Sequence, residues 1–249
     1  MLDLDKINLQ VIAISEKVGE FIREQAQSFS QSSVEYKGRN DLVSYVDKQT
    51  EQLLVEELGN VLPEAGVIAE EGAGEPKEDG YNWVIDPVDG TTNFVHGVPY
   101  YSISIALMHK DELLLGVVYA VQQRECFHAI QGKGAFLNGQ PIHVSGNTSL
   151  SESLLVTGFP YKHLDKRTKY FNILSELLEH SHGFRRLGSA AIDLVYVACG
   201  RFEAFFEFGL NPWDVAAGAL IVKEAGGKVT DFEGGNGYLH GRAIVAGVP

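Results

Sequence analysis

The sequence is poor in cysteine and has no long apolar run. Cys126 and Cys199 are the two cysteines among 249 residues, too few for a disulfide framework, and we interpret both as packed thiols. No apolar stretch approaches the ~18 residues needed to span a bilayer. The start, MLDLDKINLQ, lacks the basic and then apolar order of a signal peptide. We therefore expect a soluble, cytoplasmic protein without membrane partners.

Basic residues are also scarce. Lys and Arg number 20 against 33 Asp and Glu, for a formal net charge of -13. Because non-specific nucleic-acid binding depends on neutralising phosphates with Lys and Arg, this balance argues against a nucleic-acid partner. An acidic surface can also serve solubility alone. A ligand that carries phosphate would need positive groups close to its binding site.

Two common site motifs are absent. The eight histidines show no HExxH spacing and the two cysteines no CxxC spacing, which argues against a zinc site. The glycine-rich segment GKGAFLNG lacks the Gly-Lys-Ser/Thr ending of a P-loop and lies between β-rich runs. It is typical of a β-hairpin.

What the chain does have is the composition and patterning of a globular α+β protein. Apolar residues make up 45% and charged residues 21%. Apolar side chains at steps of three and four predict helices over Leu4–Gln27 and Ser44–Leu58. From Val67 to Val144, short β-rich runs with hairpin-length connections predict a largely antiparallel sheet. Beyond Ser149, strands and helices alternate, which predicts a second, α/β sheet.

These textures divide the chain into an N-terminal α+β half, residues 1–148, and a C-terminal α/β half, residues 149–249. The segment Ser30–Asp41, SQSSVEYKGRND, is the best candidate for a mobile loop. We expect the halves to pack into one body. A site built from both would lie where they meet.

The segment NWVIDPVDGTTNF begins as a buried strand and ends in two acids, Asp86 and Asp89. Pro87 favours an extended backbone at Asp86 before a turn that can bring Asp89 back beside it. Two close carboxylates repel one another unless a positive group lies between them, and together they offer hard oxygen ligands for Mg²⁺. The alternative is that both acids only cap a turn and a helix.

Two further acids lie at predicted element ends. Glu70 follows the strand-like run VIA, and Asp214 opens the helical pattern of PWDVAAGALIVKEAGG. Each has a simpler interpretation, because Asp214 could be a helix cap and Glu70 one of several solvated loop acids.

Taken together, these motifs resemble the inositol monophosphatase family, in order and spacing, over nearly the whole chain. The resemblance is carried by AEE, WVIDPVDGTTNFVHGVPYYSISIAL, GKGAFLNGQPIHVS, RRLGSAAIDLVYVACGRFEAFFE and PWDVAAGALIVKEAGG. It implies a metal-dependent, lithium-sensitive phosphatase with a layered α-β-α-β-α sandwich, in which one sheet is largely antiparallel and the other mixed. It also implies a homodimer.

The resemblance implies two Mg²⁺ ions in the site. Glu70, Asp86 and the carbonyl of Val88 would bind the first ion, and Asp86, Asp89 and Asp214 the second. A third, weaker ion could lie near Glu70. Most ligands would then come from the N-terminal half, and Asp214 from the other.

The implied reaction is direct hydrolysis of a phosphate monoester by a metal-activated water, without a covalent enzyme intermediate. The catalytic residues implied are Glu70, Thr91 and Asp47, with Thr91 passing a proton from the water and Asp47 paired to its hydroxyl. Two alternatives stay open: Asp47 could serve only as a first-turn helix acid, and Thr91 only as a helix N-cap.

The substrate would lie between these acids and the C-terminal half. Phosphate is expected against the backbone N–H groups of Gly90 and Thr91, where a helix N-terminus supplies positive potential. The resemblance implies that the remaining substrate-binding residues lie near the alcohol part of the phosphate ester. They are Asp89, Ser189, Ala190, Glu207 and Asp214. Glu207 could instead be only the polar end of a strand.

Three basic residues are weaker candidates. Lys37 could approach a metal or phosphate, or be a solvated lysine. Arg185 and Arg186 could stabilise a subunit interface or a neighbouring loop, although surface ion pairs are the ordinary explanation.

The function implied is Mg²⁺-dependent hydrolysis of inositol-1-phosphate to inositol and phosphate, with activity on other small polyol or sugar phosphates. Rival substrates are fructose-1,6-bisphosphate, histidinol phosphate and adenosine 3',5'-bisphosphate. A rival of another class is a regulatory binding protein that retains the fold.

Overall fold

Six α-helices and two large β-sheets make up the part of the chain that the computed structural model describes. That part comprises residues 2–29, 34–38, 41–159, 161 and 166–249, with the backbone alone for 34–38 and 41–43.

The helices, in chain order, are α1 Leu4–Ser28, α2 Tyr45–Val61, α3 Thr91–Val95, α4 Arg167–His180, α5 Ala190–Ala198 and α6 Pro212–Glu224. The strands are β1 Val34–Gly38, β2 Asp41–Ser44, β3 Gly66–Ala69, β4 Tyr81–Asp89, β5 Ser102–His109, β6 Glu112–Ala120, β7 Glu125–Ile130, β8 Ala135–Leu137, β9 Gln140–Ile142, β10 Leu154–Thr157, β11 Gly183–Arg185, β12 Ala204–Phe208, β13 Lys228–Thr230 and β14 Ala243–Gly247.

The two N-terminal helices form where the apolar spacing predicts them. Asp3 caps α1 by accepting the Lys6 N–H at 3.1 Å, and a stripe of side chains including Val11, Val18 and Ile22 is buried along one face. Ser44 caps α2. Both helix predictions are confirmed to within three residues at each end.

The first sheet has seven strands in the order β3-β4-β5-β6-β7-β8-β9. β3 runs parallel to β4, and every other neighbouring pair is antiparallel. Nearly all of β4 is buried, which explains its almost continuous apolar sequence before Asp86. The predicted hairpin in GKGAFLNG is confirmed, because Asn138 and Gly139, both at positive φ, connect β8 to β9.

The second sheet has five strands in the order β11-β10-β12-β14-β13. β10 lies parallel to β11 and β12, whereas β14 is antiparallel to β12 and β13. The prediction of a mixed second sheet is therefore confirmed. The sequence analysis did not predict β14.

The sheets and helices stack in five layers. α1 and α2 cover one face of the first sheet around one buried apolar cluster. α5 and α6 fill the space between the two sheets around a second cluster. α4 packs on β11 of the second sheet. This confirms the predicted α+β fold and its α-β-α-β-α order.

The cluster between the sheets contains side chains from both predicted halves, including Ala106 from residues 1–148 and Leu194 from residues 149–249. The division at residue 148 stays a prediction. Within the described ranges, no helix has both the length and the apolar character required to cross a membrane.

Part of the segment Ser30–Asp41, which was predicted to be a mobile loop, forms strands, and residues 30–33, 39 and 40 lie outside the described residues. Val34–Gly38 and Asp41–Ser44 pair as an antiparallel two-stranded ribbon. Its sequence mixes β-formers such as Val34 and Tyr36 with polar residues, and that mixture hid the strand pattern.

Candidate functional site

Asp86 and Asp89 lie at an irregular end of β4. Asp86 pairs with Ser104 and Asp89 with Ser102, so β4 carries one extra residue between these two positions. Such a bulge bends the strand and redirects its side chains. Asp86 Oδ1 also accepts the Val88 N–H at 3.0 Å. Asp86 therefore stabilises the turn, as the simpler interpretation supposed, and still faces the cleft that follows.

Gly90 makes the turn into α3 possible. Its φ is +101°, in the left-handed region, and a Cβ there would lie 2.9 Å from the carbonyl oxygen of Tyr100. Both facts favour glycine over any other residue. Gly90 is also the residue that caps α3, so the alternative role of Thr91 as an N-cap is wrong.

Asp86, Asp89 and Asp214 come together as an acidic triad. One carboxylate oxygen from each lies within 4.8 Å of the others. Asp86 and Asp89 are only 1% and 8% exposed. Burial, followed by the negative charges of Glu70, Asp89 and Asp214, raises the pKa of Asp86 well above its ordinary value. Burial likewise raises the pKa values of Asp89 and Asp214.

The triad fits a divalent metal ion. Two buried carboxylates and one half-buried carboxylate that repel one another are stabilised by a cation between them, and hard carboxylate oxygens are the ligands that Mg²⁺ prefers. The three residues come from β4 and from the first turn of α6, so both halves contribute. The structure thus brings together the three acids that the sequence analysis placed at the second ion.

Asp89 is held by the N-terminus of a helix distant in sequence. Its carboxylate accepts the Ser189 hydroxyl at 2.6 Å, the Ala191 N–H at 2.7 Å and the Ala190 N–H at 3.2 Å. These donors offset part of the pKa increase caused by burial. Asp89 therefore binds the first turn of α5 and not a helix of its own segment, and it contacts the two residues predicted beside it on the alcohol side.

Asp214 also has a structural contact, because its Oδ2 accepts the Asn211 N–H at 2.6 Å. A capping role and a place in the triad therefore coexist in one side chain.

Glu70 follows β3 and faces Asp86. Its charge and a hydrogen bond contribute to the raised pKa of Asp86. The loop after Glu70 is fixed by the buried Glu51 of α2, whose carboxylate accepts the N–H groups of Glu71 at 2.7 Å and Ala73 at 2.8 Å. The sequence analysis missed Glu51, because an acid inside a helix looks like a solvated surface residue.

Thr91 and Asp47 form a hydrogen-bonded pair. The Thr91 hydroxyl donates to Asp47 Oδ1 at 2.7 Å and lies 3.2 Å from the Val88 carbonyl oxygen. Asp47 Oδ2 accepts the Ser44 hydroxyl at 2.6 Å and the Ser44 N–H at 2.9 Å, which completes a capping box at α2. Asp47 is thus both a helix acid and the partner of Thr91. Its part in a proton relay stays a prediction.

The acids and the start of α3 line one cavity of about 190 Å³. The first turn of a helix leaves N–H groups without helical partners, so α3 offers donors to an anion. The residues that line the cavity are Glu70, Asp86, Val88, Asp89, Gly90, Thr91, Thr92, Arg186, Gly188 and Asp214.

The other predicted site residues interact with residues that line this cavity. Asp47 reaches it through Thr91, and Ser189 and Ala190 through Asp89. Glu207, at the end of β12, interacts electrostatically with Asp214. Burial first, and then the charge of Asp214, raise the pKa of Glu207 to about 8.

Arg186 lines the cavity, although the sequence analysis expected a surface ion pair or an interface. In the described part of the chain no ion pair involves it, and its guanidinium lies 5.7 Å from the centre of the Tyr161 ring. Its charge offsets part of the rise in pKa that burial causes at Asp89 and Glu207. Lys37 belongs to β1, but its side chain is outside the described part.

A buried acid escaped the sequence analysis. Asp193 of α5 is 1% exposed, and its Oδ1 has no hydrogen-bond partner among the described residues. Burial and the charges of Glu207 and Asp89 raise its pKa well above the ordinary value. Helical spacing alone places it in a largely apolar stretch, IDLVYVA, which indicates burial but no specific role.

Comparison with known proteins points in one direction. A sequence model of the inositol monophosphatase family matches residues 3–248. The Nus factor SuhB of Pseudomonas aeruginosa is 45% identical over 234 residues, which cover 92% of this chain and 86% of the relative.

Two solved structures resemble the fold closely. The extragenic suppressor protein suhB from Bartonella henselae has a TM-score of 0.92 and 36% identity, and the match covers 99% of this chain and 94% of the other. The inositol monophosphatase from Anabaena sp. PCC 7120 has a TM-score of 0.88 and 33% identity, over 99% of this chain and 92% of the other.

Proposed function

The chain belongs to the inositol monophosphatase family, and on that basis we propose that it hydrolyses inositol-1-phosphate to inositol and phosphate with Mg²⁺ as cofactor. Other small polyol or sugar phosphates are expected to be substrates as well. The observation that carries the proposal is the acidic triad of Asp86, Asp89 and Asp214 beside the start of α3. A set of ligands for cations therefore lies beside N–H groups that can donate to a phosphate anion.

The residues that would hold Mg²⁺ follow from the lining of the cavity. Glu70, Asp86 and the Val88 carbonyl would bind one ion, and Asp86, Asp89 and Asp214 a second, with a third, weaker ion beside Glu70. When bound, Mg²⁺ supplies positive charge to the phosphate oxygens and acidifies a water molecule.

Thr91 and Asp47 would accept the proton of the attacking water. Because Asp47 accepts the Thr91 hydroxyl proton at 2.7 Å, a lone pair of the Thr91 oxygen is available to a water in the cavity. Asp47 is itself oriented by Ser44, so the relay is built on the rigid start of α2.

The phosphate and the alcohol would lie on opposite sides of Asp89. Phosphate oxygens would accept the N–H groups of Gly90 and Thr91 at the N-terminus of α3. Toward α5, Ser189 and Ala190 contact Asp89, and Glu207 carries a carboxylate that can accept hydrogen bonds from substrate hydroxyls.

The test is Mg²⁺-dependent phosphate release from a panel of esters. The panel contains inositol-1-phosphate, fructose-1,6-bisphosphate, histidinol phosphate and adenosine 3',5'-bisphosphate. We expect inositol-1-phosphate to be preferred, Li⁺ to inhibit, and Asp89→Asn to reduce the rate about 100-fold or more. Asp111→Asn, at a side chain 85% exposed, is the control. No release from any ester, or equal rates for Asp89→Asn and the parent, would overturn the proposal.

A second candidate function is a regulatory role through protein binding. It is favoured by the 45% identity to a relative named Nus factor SuhB. Expressing the parent or Asp89→Asn in cells that lack this protein distinguishes the two functions, because a regulatory role needs the folded chain and not the phosphatase reaction. Restoration of the wild-type phenotype by Asp89→Asn would support binding. Restoration by the parent alone would support catalysis.

We also propose a homodimer formed through α4. Phe171 and Leu178 of this helix are 47% and 51% exposed, although they are apolar. A second copy of the chain, as the family resemblance implies, would cover them. Sedimentation equilibrium should show a dimer for the parent and a monomer for Phe171→Glu combined with Leu178→Glu. A parent that stays monomeric at micromolar concentration would contradict this assembly.

A further inference from the structure

The Glu207 carboxylate packs directly against Gly158, across the ends of β10 and β12. A Cβ built on Gly158 would lie 1.9 Å from Cδ and from Oε1 of Glu207 and 2.0 Å from Oε2. All of these distances are far inside van der Waals contact. The obstacle would be the flexible end of a side chain and not backbone, so a methyl group at Gly158 should displace Glu207 without disrupting the sheet.

Two buried hydroxyl groups fix the backbone on both sides of this contact. Thr157 Oγ1 donates to the carbonyl oxygen of Phe206 at 2.6 Å, and the Tyr170 hydroxyl donates to the carbonyl oxygen of Gly158 at 2.6 Å. The hydroxyl groups themselves are 2.7 Å apart. Since Phe206 precedes Glu207 in the chain, this pair sets the spacing between Gly158 and the residue that packs on it.

Tyr170 both anchors α4 and contacts the segment around Gly158. It is the one buried side chain that α4 contributes among the described residues, at 1% exposure. Its ring lies 5.8 Å from that of Phe206, and its hydroxyl reaches past Thr157 to Gly158. The buried contact of α4 is therefore directed at the Gly158 and Glu207 segment.

Glu207 needs such support because its surroundings repel it. Burial first, and then the charges of Asp214 and Asp89, raise the pKa of Glu207, and the charge of Arg186 opposes them. No hydrogen bond to the Glu207 carboxylate is found among the described residues. An unsupported glutamate would turn away from the acids, whereas packing against the Gly158 backbone limits the directions that its carboxylate can take.

We propose that Gly158, together with the Thr157 and Tyr170 hydroxyl pair, positions Glu207 toward the alcohol side of the substrate and so determines the preference for hydroxyl-bearing alcohols. This inference rests on the proposed function. Gly158, Thr157 and Tyr170 are positioning residues, because they act through Glu207 and do not touch the reacting atoms.

The kinetic test compares inositol-1-phosphate with phenyl phosphate, whose leaving group carries no further hydroxyl. Gly158→Ala should lower kcat/KM about 10- to 100-fold for inositol-1-phosphate, mainly through KM, as expected for losing charge-assisted hydrogen bonds. It should change the value for phenyl phosphate less than about threefold. Tyr170→Phe, which retains the ring, should shift the preference in the same direction by a smaller factor. Gly59→Ala is the control, because a Cβ there meets nothing within 4 Å.

A double variant distinguishes positioning from general damage. Once Glu207→Ala has removed the carboxylate, Gly158→Ala should have no further effect on the substrate preference, because its methyl group then has space. Losses that multiply in the double variant would overturn the proposal. So would equal losses on both esters in Gly158→Ala.

A crystal structure of Gly158→Ala tests the positioning without any activity measurement. We expect the Glu207 carboxylate to be displaced while β10 and β12 keep their register. An unmoved carboxylate would overturn the inference. If the parent hydrolyses neither ester, the proposed function fails, and this crystal structure still decides whether Gly158 positions Glu207.

Discussion

Removing one carboxylate from the acidic triad should stabilise the metal-free protein, although it removes a ligand of the second proposed Mg²⁺. The oxygens of Asp86, Asp89 and Asp214 lie within 4.8 Å of one another. At an effective dielectric constant of about 20, two unit charges at that distance repel by about 3.5 kcal/mol. Asp214→Asn removes that repulsion but weakens the hydrogen bond from the Asn211 N–H, which costs about 1 kcal/mol. Partial protonation in the parent reduces the gain further, to about 2 kcal/mol in favour of the variant.

The raised pKa values of the triad determine how the free energy of unfolding of the metal-free parent changes with pH. Burial and the charge of Asp89 raise the pKa of Asp214 to about 7. The folded chain therefore holds protons that the unfolded chain has already released above about pH 4. The free energy of unfolding of the metal-free parent should fall as the pH rises from 5 to 8. The advantage of Asp214→Asn should be largest at pH 8 and small at pH 5.

Thermal unfolding in chelator and in Mg²⁺ is the assay. In chelator at pH 8 we expect Asp214→Asn to melt about 4 to 8 °C above the parent, on the scale of 2 to 4 °C per kcal/mol for a chain of this size. Mg²⁺ should raise the Tm of the parent more than that of the variant, which keeps the proposed ligands Glu70, Asp86 and Val88 of the first ion but loses one ligand of the second. Asp79→Asn, at a side chain 88% exposed, should match the parent. A variant less stable than the parent in chelator at pH 8, or a gain that does not shrink at pH 5, would refute the reasoning.

Two further predictions concern the core and the relay. A Cβ on Gly116 would lie 2.8 Å from the carbonyl oxygen of Ala217, so Gly116→Ala should destabilise the protein by about 1 to 3 kcal/mol; urea unfolding measures this, and an unchanged midpoint would contradict the close packing of β6 on α6. Thr91→Val retains the shape of Thr91 but removes the hydroxyl that donates to Asp47, so kcat should fall about 100-fold or more while the affinity for Mg²⁺ stays the same. A fall in kcat below tenfold would contradict the proton relay.

Local pattern was sufficient for much of the fold. The spacing of apolar residues in α1 and the turn residues at Asn138 and Gly139 act over a few residues, so sequence alone predicts them. The strand β14 was missed because its five residues, Ala243–Gly247, include two alanines and a glycine, which are poor strand formers. In the ribbon of β1 and β2 the polar residues conceal the strand period.

Site residues with a local sequence signal could also be predicted, whereas those that depend on distant partners could not. Asp86 and Asp89 stand out because two acids end an apolar strand, Asp214 because it opens a helical pattern, and the resemblance to a known family gave Asp214 and Thr91 their expected roles. Glu51 and Asp193 gave no such signal, since an acid in a helix predicts exposure unless its distant partners are known. The Glu51 carboxylate meets the loop after Glu70 only in the folded chain.

The hydrogen bonds of Asp89 explain how the site tolerates its own charge. Each of its two oxygens accepts at least one donor from the first turn of α5, and the partial positive charge of that helix end favours an anion. Because β4 belongs to one half of the chain and α5 to the other, this stabilisation exists only when the halves are packed together. Asp214 belongs to α6 in the second half, so the triad too forms only when the halves are packed together. Binding of a cation by the triad must therefore also favour the packed arrangement of the two sheets, since an ion that binds only the folded chain stabilises it by mass action.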